Sequence, residues 1–134
     1  MERVFQLELQ WLEPYYEKVK HKLGNRKLIK VYYIPLQKGK ISRISGICGR
    51  HIGTNQYDIG LYSQYWKTQR LRPLSRIRKP LSTLDILHTF AHELAHMVHW
   101  DHTPDHKRLE CQLMMMFMTM AKKDGYVSEE DELA

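Results

Sequence analysis

At 134 residues the chain is long enough for one packed domain and too short for two ordinary ones. Its apolar fraction of 43% and charged fraction of 27% fit a globular protein, and the longest apolar stretch, Leu113 to Met120, is far too short to span a bilayer. The formal charge of +6 is uneven: residues 1–80 hold 17 Lys/Arg against 5 Asp/Glu and residues 81–134 hold 4 against 10, so the first part offers either a basic face for DNA or another polyanion or merely solvated lysines.

Met1-Glu2-Arg3-Val4 lacks the basic start and apolar run of a signal peptide. The expectation is an intracellular protein, cytoplasmic or associated with the nucleus or nucleoid, not secreted and without a membrane partner. Cys48 and Cys111 belong to no CxxC pair, so no zinc ribbon is encoded, and two buried free thiols are expected.

In chain order, Val4, Leu7, Trp11 and Leu12, then Tyr15, Tyr16, Val19 and Leu23, recur at helical spacing and predict a helix or two over 4–23, interrupted at Pro14. Residues 28–36, 41–52 and 56–63 read as three strands joined by short turns, which predicts an antiparallel meander. Gly46 and Gly49 mark a bulge or a close backbone approach. Residues 67–80 read as a basic loop holding Lys67, Arg70, Arg72, Arg76, Arg78 and Lys79. Ser82 with Asp85 starts a helix whose stripe is Leu84, Leu87, Ala91, Leu94, Ala95 and Val98. Thr103-Pro104 caps and opens a second helix with Leu109, Leu113, Met116, Phe117 and Met120 on one face, ending at Gly125. The methionines of 114–120 read as core filler. Residues 126–134 read as an acidic, frayed tail.

Six of the eight histidines lie between His88 and His106. His92-Glu93-Leu94-Ala95-His96 is an HExxH pattern on a helix. Two histidines four apart share a face and bring two imidazole nitrogens within reach of one ion, and Glu93 beside them is placed to act as general base toward a metal-activated water. A catalytic site wants a third protein ligand and an open position. His99, His102, His106 and Glu110 are the candidates. His99 lies about 10 Å along the axis from His92, too far for three ligands on one straight helix to converge. His102, in the corner before the next helix, can turn back and is favoured. Glu110 is the runner-up, as a ligand or as a carboxylate orienting a histidine. His106, in line with Leu109, Leu113 and Phe117, reads as a packed, hydrogen-bonded residue beneath the site, and His88 as a polar residue near the cleft.

The run Phe90-Ala91-His92-Glu93-Leu94-Ala95-His96, followed by His102-Thr103-Pro104-Asp105-His106, resembles the SprT-like and WLM group of small gluzincin-type metallopeptidases. Gly46 to His51 and Tyr57-Asp58-Ile59 look like the group's sheet ahead of the active-site helix, so the likeness covers residues 28–120. It implies one zinc ion per chain held by His92, His96 and His102, Glu93 as general base, and a sheet edge that holds an extended substrate. His106 stands where the group usually has an aromatic residue, and the zinc ribbon that often follows the core is absent. A metzincin is disfavoured because His99 occupies that clan's glycine.

The resulting expectation is a single α+β domain over 1–134, a minimal zincin-like core. It comprises an N-terminal helical segment, a three-stranded mainly antiparallel sheet, the HExxH helix and a C-terminal packing helix. Its expected activity is zinc-dependent hydrolysis of peptide bonds in a protein or peptide, with DNA-associated proteins as an open substrate class and Arg70, Arg72, Arg76 and Arg78 as candidate nucleic-acid contacts. Two alternatives stand beside it: a non-catalytic nucleic-acid-binding module stapled by zinc, and a metallo-hydrolase of a non-peptide substrate.

Overall fold

The computed structural model describes residues 4–34, 46–62, 64–68, 76–80 and 83–126. The elements are β1 (Val4–Phe5), α1 (Glu13–Val19), β2 (Lys27–Ile34), β3 (Gly46–Arg50), β4 (Gln56–Tyr62), β5 (Gln64–Thr68), β6 (Arg76–Pro80), α2 (Thr83–Val98) and α3 (Pro104–Lys123). Short 3-10 segments, Leu7–Leu12 and Lys20–Leu23, flank α1. The α+β class and the order of helical segment, sheet, HExxH helix and packing helix are as expected. No helix among the described residues is long and apolar enough to cross a membrane.

The strand pairing differs from the meander. The main sheet has the order β1-β2-β4-β3, with β1 and β4 parallel to β2 and only β3 antiparallel to β4. After β3 the chain turns back and inserts β4 between β3 and β2. Burial accounts for the choice. Tyr57, Ile59 and Leu61 on β4 and Leu28, Ile29 and Val31 on β2 are all buried, which suits central strands. β3 carries two glycines and a partly exposed Ile47, and takes the edge among the described strands. The β3–β4 turn closes with His51 N–H donating to the Gln56 carbonyl at 2.9 Å, and Gly53 takes the positive φ of 77° that its tight reversal requires. Val4, expected in a helix, pairs with Lys30 as part of β1.

Residues 67–80 are not a loop throughout. β5 and β6 form a separate antiparallel pair, with Trp66 opposite Arg78 and Lys67 opposite Ile77, while 69–75 lie outside the described residues. The start of α2 at Ser82 and the tail from 127 also lie outside them. Tyr126, assigned to the frayed tail, is held by its N–H to the Ala121 carbonyl at 2.9 Å and by ring contact with Trp11, centroids 5.4 Å apart.

The stripe on α2 buries Leu87, Phe90, Ala91, Leu94 and Ala95, and the helix packs between the sheet and α3. Against α3, Phe90 stacks on Phe117 with centroids 5.8 Å apart and planes 10° apart, and Tyr15 meets Phe117 edge-on at 5.7 Å. Emptying the Phe117 site to alanine would cost about 3–5 kcal/mol at such a position. Against the sheet, Gly46 lets β3 lie directly on α2. A Cβ there would stand 2.7 Å from Thr89 Cγ2, 3.0 Å from the Gly60 carbonyl oxygen and 3.2 Å from Glu93 Cγ.

Two expectations about sulfur are corrected. Met114, Met116, Met118 and Met120 pack partly buried against the core, but Met115 is 71% exposed, because five methionines in seven positions cannot share one helix face. Both cysteines are free, Cys48 half-buried and Cys111 exposed. Burial, then the nearby Glu93 and Asp58 carboxylates, push the Cys48 thiol up to about 12.

The fully buried Tyr15 ties α1 to the end of α3, its hydroxyl donating to Asp124 Oδ2 at 2.9 Å. Burial and this bond to a carboxylate raise the phenol above its ordinary value. The neutral phenol therefore stabilises the fold at all pH values below about 10, and this contribution is lost as pH rises further, because the unfolded chain releases the proton first. Tyr15→Phe is expected to cost about 1 kcal/mol at neutral pH and to weaken the alkaline fall in stability. Urea unfolding from pH 7 to 11 measures both, and parallel pH profiles for the two proteins would contradict the assignment.

Candidate metal centre

His92 and His96 stand one turn apart on α2, and their Nε2 atoms are 3.1 Å apart. Five residues separate the end of α2 at Val98 from the start of α3 at Pro104. The Thr103 hydroxyl caps α3 by accepting from His106 N–H at 3.2 Å, and Pro104 begins the helix as expected. This corner turns His102 back onto α2. Its Nε2 lies 3.1 Å from that of His96 and 3.2 Å from that of His92. Three imidazole nitrogens thus form a nearly equilateral triangle.

The other nitrogen of two of these rings is already engaged. His92 Nδ1 bonds to Glu110 Oε1, and His96 Nδ1 bonds to the His99 carbonyl at 3.1 Å. Both acceptors demand a proton on Nδ1, which leaves both neutral rings with bare lone pairs at Nε2. His102 carries one proton at most on its own Nε2 and cannot satisfy both neighbours. A cation at the triangle resolves the clash. Tetrahedral coordination at zinc's usual bond length of about 2.0–2.1 Å puts neighbouring ligand atoms about 3.3 Å apart, close to the spacing observed.

A second grouping, His92, His96 and His106, also offers nitrogens within 4.8 Å of one another. The two groupings disagree over the third member. His106 is 2% exposed, its ring stacks on His96 with centroids 4.0 Å apart, and its Nε2 lies 3.1 Å from the His92 carbonyl oxygen. That nitrogen is a donor to the backbone. The His102 triangle is defined by Nε2 separations of 3.1, 3.1 and 3.2 Å, whereas His106 has one ring nitrogen committed to the backbone.

Glu93 follows His92 on α2 and is 4% exposed, its Cγ under the Gly46 backbone of β3. Burial, and secondarily the Glu110 carboxylate, push it up to about 7, so it exchanges a proton near neutral pH. Glu110 goes the other way. Burial alone would raise it, but hydrogen bonds from Lys107 at 2.8 Å and from His92 hold it down to about 2. His96 and His106 are both lowered, chiefly by burial, so both favour the neutral ring.

Of the residues singled out in the sequence, His92, His96, His102, Glu93 and Glu110 come together. His99 contributes its carbonyl, and the 60%-exposed His88 lies 3.8 Å from Glu110 Oε2. Arg76 and Arg78 fall on β6, while Arg70 and Arg72 lie outside the described residues. The sequence reading missed Lys107 and the contact of Gly46 with Glu93. Lys107 sits three residues before Glu110, a spacing that signals a helical ion pair. The Gly46 contact depends on strand order and has no local signal. Comparison with family models, with curated proteins and with solved structures gives no match.

Replacing His92, His96 or His102 with alanine is expected to abolish high-affinity binding of one metal ion per chain. His106→Gln, which keeps a donor toward the His92 carbonyl, is expected to retain that stoichiometry. Metal analysis after dialysis checks this, and an undiminished metal content in His102→Ala with loss in His106→Gln would reverse the assignment.

Proposed function

We propose that the chain is a zinc metallopeptidase of the SprT-like and WLM type. The observation that carries the reading is the triangle of His92, His96 and His102 Nε2 atoms with Glu93, a buried carboxylate balanced near neutral pH, next along the same helix. In this reading the three histidines hold one zinc ion and leave one coordination position open. Zinc, when bound, supplies a Lewis acid and lowers the pKa of a water molecule.

The remaining chemistry belongs to the chain. Glu93 accepts a proton from the attacking water and passes it to the departing amine, a shuttle that needs a carboxyl group able to take and release a proton. Gly46 holds β3 against Glu93. β3 is the sheet edge, paired with β4 alone among the described residues, so an extended peptide added to its open side would run beside Glu93. This favours a peptide substrate over a compact small molecule. DNA-associated proteins are the narrower class proposed, on the charge of residues 67–79.

The second reading, a structural metal that staples α2 to α3, draws on His106 stacked against His96 as a nearby fourth imidazole. One variant separates the two. Glu93→Gln is expected to keep one zinc ion per chain and to lose about 10²- to 10⁴-fold in cleavage of an unfolded protein substrate. Zinc content and cleavage are measured on the same preparations. Zinc retained with wild-type turnover would remove Glu93 from the mechanism, and no cleavage by the zinc-loaded wild type across a broad peptide library would favour the staple.

A further inference from the structure

His92 is touched twice by α3. Its ring Nδ1–H donates to Glu110 Oε1, and its backbone carbonyl accepts from His106 Nε2 at 3.1 Å. His106 and Glu110 are four residues apart, hence on one face of α3, and both are almost completely buried. The second Glu110 oxygen accepts from Lys107 Nζ at 2.8 Å. We infer that His106 and Glu110, with Lys107 behind the carboxylate, form a two-point clamp that fixes both the backbone and the ring of His92. The clamp selects the tautomer whose Nε2 lone pair faces the triangle. The inference rests on the metal-site reading above and assigns Glu110 a positioning role.

The geometry separates this role from that of a ligand. Each Glu110 oxygen is already engaged, one on His92 Nδ1 and one on Lys107. Nδ1 and Nε2 lie on different edges of the ring, so a carboxylate bound at Nδ1 orients the imidazole while standing behind it. Without an acceptor there, the ring proton moves toward Nε2, the tautomer that free histidine side chains prefer, and that proton must leave before a metal binds. Lys107 is two-thirds exposed, so its contribution is screened and smaller than that of Glu110.

The test uses the full chain with zinc alone as the probe and two readouts. Long-range proton–nitrogen NMR of the metal-free protein reports the His92 tautomer, and chelator competition reports the zinc dissociation constant. Wild type is expected to carry the His92 proton on Nδ1. Glu110→Gln, which still offers an acceptor oxygen, is expected to keep that tautomer and to bind zinc within about tenfold of wild type. Glu110→Leu is expected to move the proton to Nε2 and to weaken zinc binding about 10- to 100-fold, the usual cost of losing such a partner. Lys107→Met is expected to weaken it by a few-fold. A wild-type His92 protonated on Nε2 overturns the clamp, and this readout decides the matter even where Glu110→Leu fails to fold. Unchanged tautomer and affinity in Glu110→Leu overturn it as well. Loss of zinc in Glu110→Gln as complete as in His92→Ala makes Glu110 a ligand and overturns the positioning role. A chain that takes up no zinc but shows the Glu110-dependent tautomer supports the clamp while removing the zinc reading.

Discussion

The site depends on the reversal of the chain within the five residues between α2 and α3. Two histidines on one helix make half a binding site, and a third can meet them only where the backbone turns. The Thr103 cap and Pro104 set where α3 begins, and so set which residues it presents to α2. From that start His106, Glu110, Leu113 and Phe117 fall on the buried face in succession. One stripe is thus polar beside the histidines and apolar farther on. The Phe90–Phe117 stack anchors the far end, and the near end grips His92.

The buried polar or charged residues among those described are Thr89, Glu93, His96, His106 and Glu110. All five lie on α2 or α3. Burying such groups is unfavourable unless each finds a partner, and a core that served packing alone would use apolar residues there. Hydrogen bonds join several of them: His106 to the His92 carbonyl, Glu110 to His92 and Lys107, His96 to the His99 carbonyl. The same low-polarity surroundings drive neighbouring carboxyl groups apart. Glu110 is held ionised by its two donors, whereas burial and the charge of Glu110 push Glu93 up to about 7.

The two long helices and the grouping of histidines were legible because their signals are local. A four-residue spacing, a Thr-Pro start and an apolar stripe each follow from neighbouring residues. The corner at His102 could be inferred from the impossibility of three ligands converging along one helix. The sheet was less legible. Three strands separated by short turns look like a meander, and nothing within residues 56–62 says that this strand inserts beside β2. Strand order is settled by burial across the whole sheet, which no local window contains. Residues 67–80 resembled a loop because proline and arginine crowd them, yet two five-residue strands pair across them. In the sequence Glu110 reads equally as a ligand or an orienting carboxylate, and only the phase of α3 against α2 brings it to Nδ1 of His92. The contact of Gly46 with Glu93 crosses from sheet to helix and was likewise out of reach.

The proposed chemistry requires a three-histidine site that is open on one side. Zinc-edge X-ray absorption of the loaded chain tests it directly, since imidazole rings give a distinctive multiple-scattering pattern and the bond lengths are read independently. The expected spectrum has three imidazole nitrogens at about 2.0–2.1 Å and one further light scatterer. Four imidazoles, which would place His106 in the coordination sphere and close the site, or a sulfur ligand would contradict it.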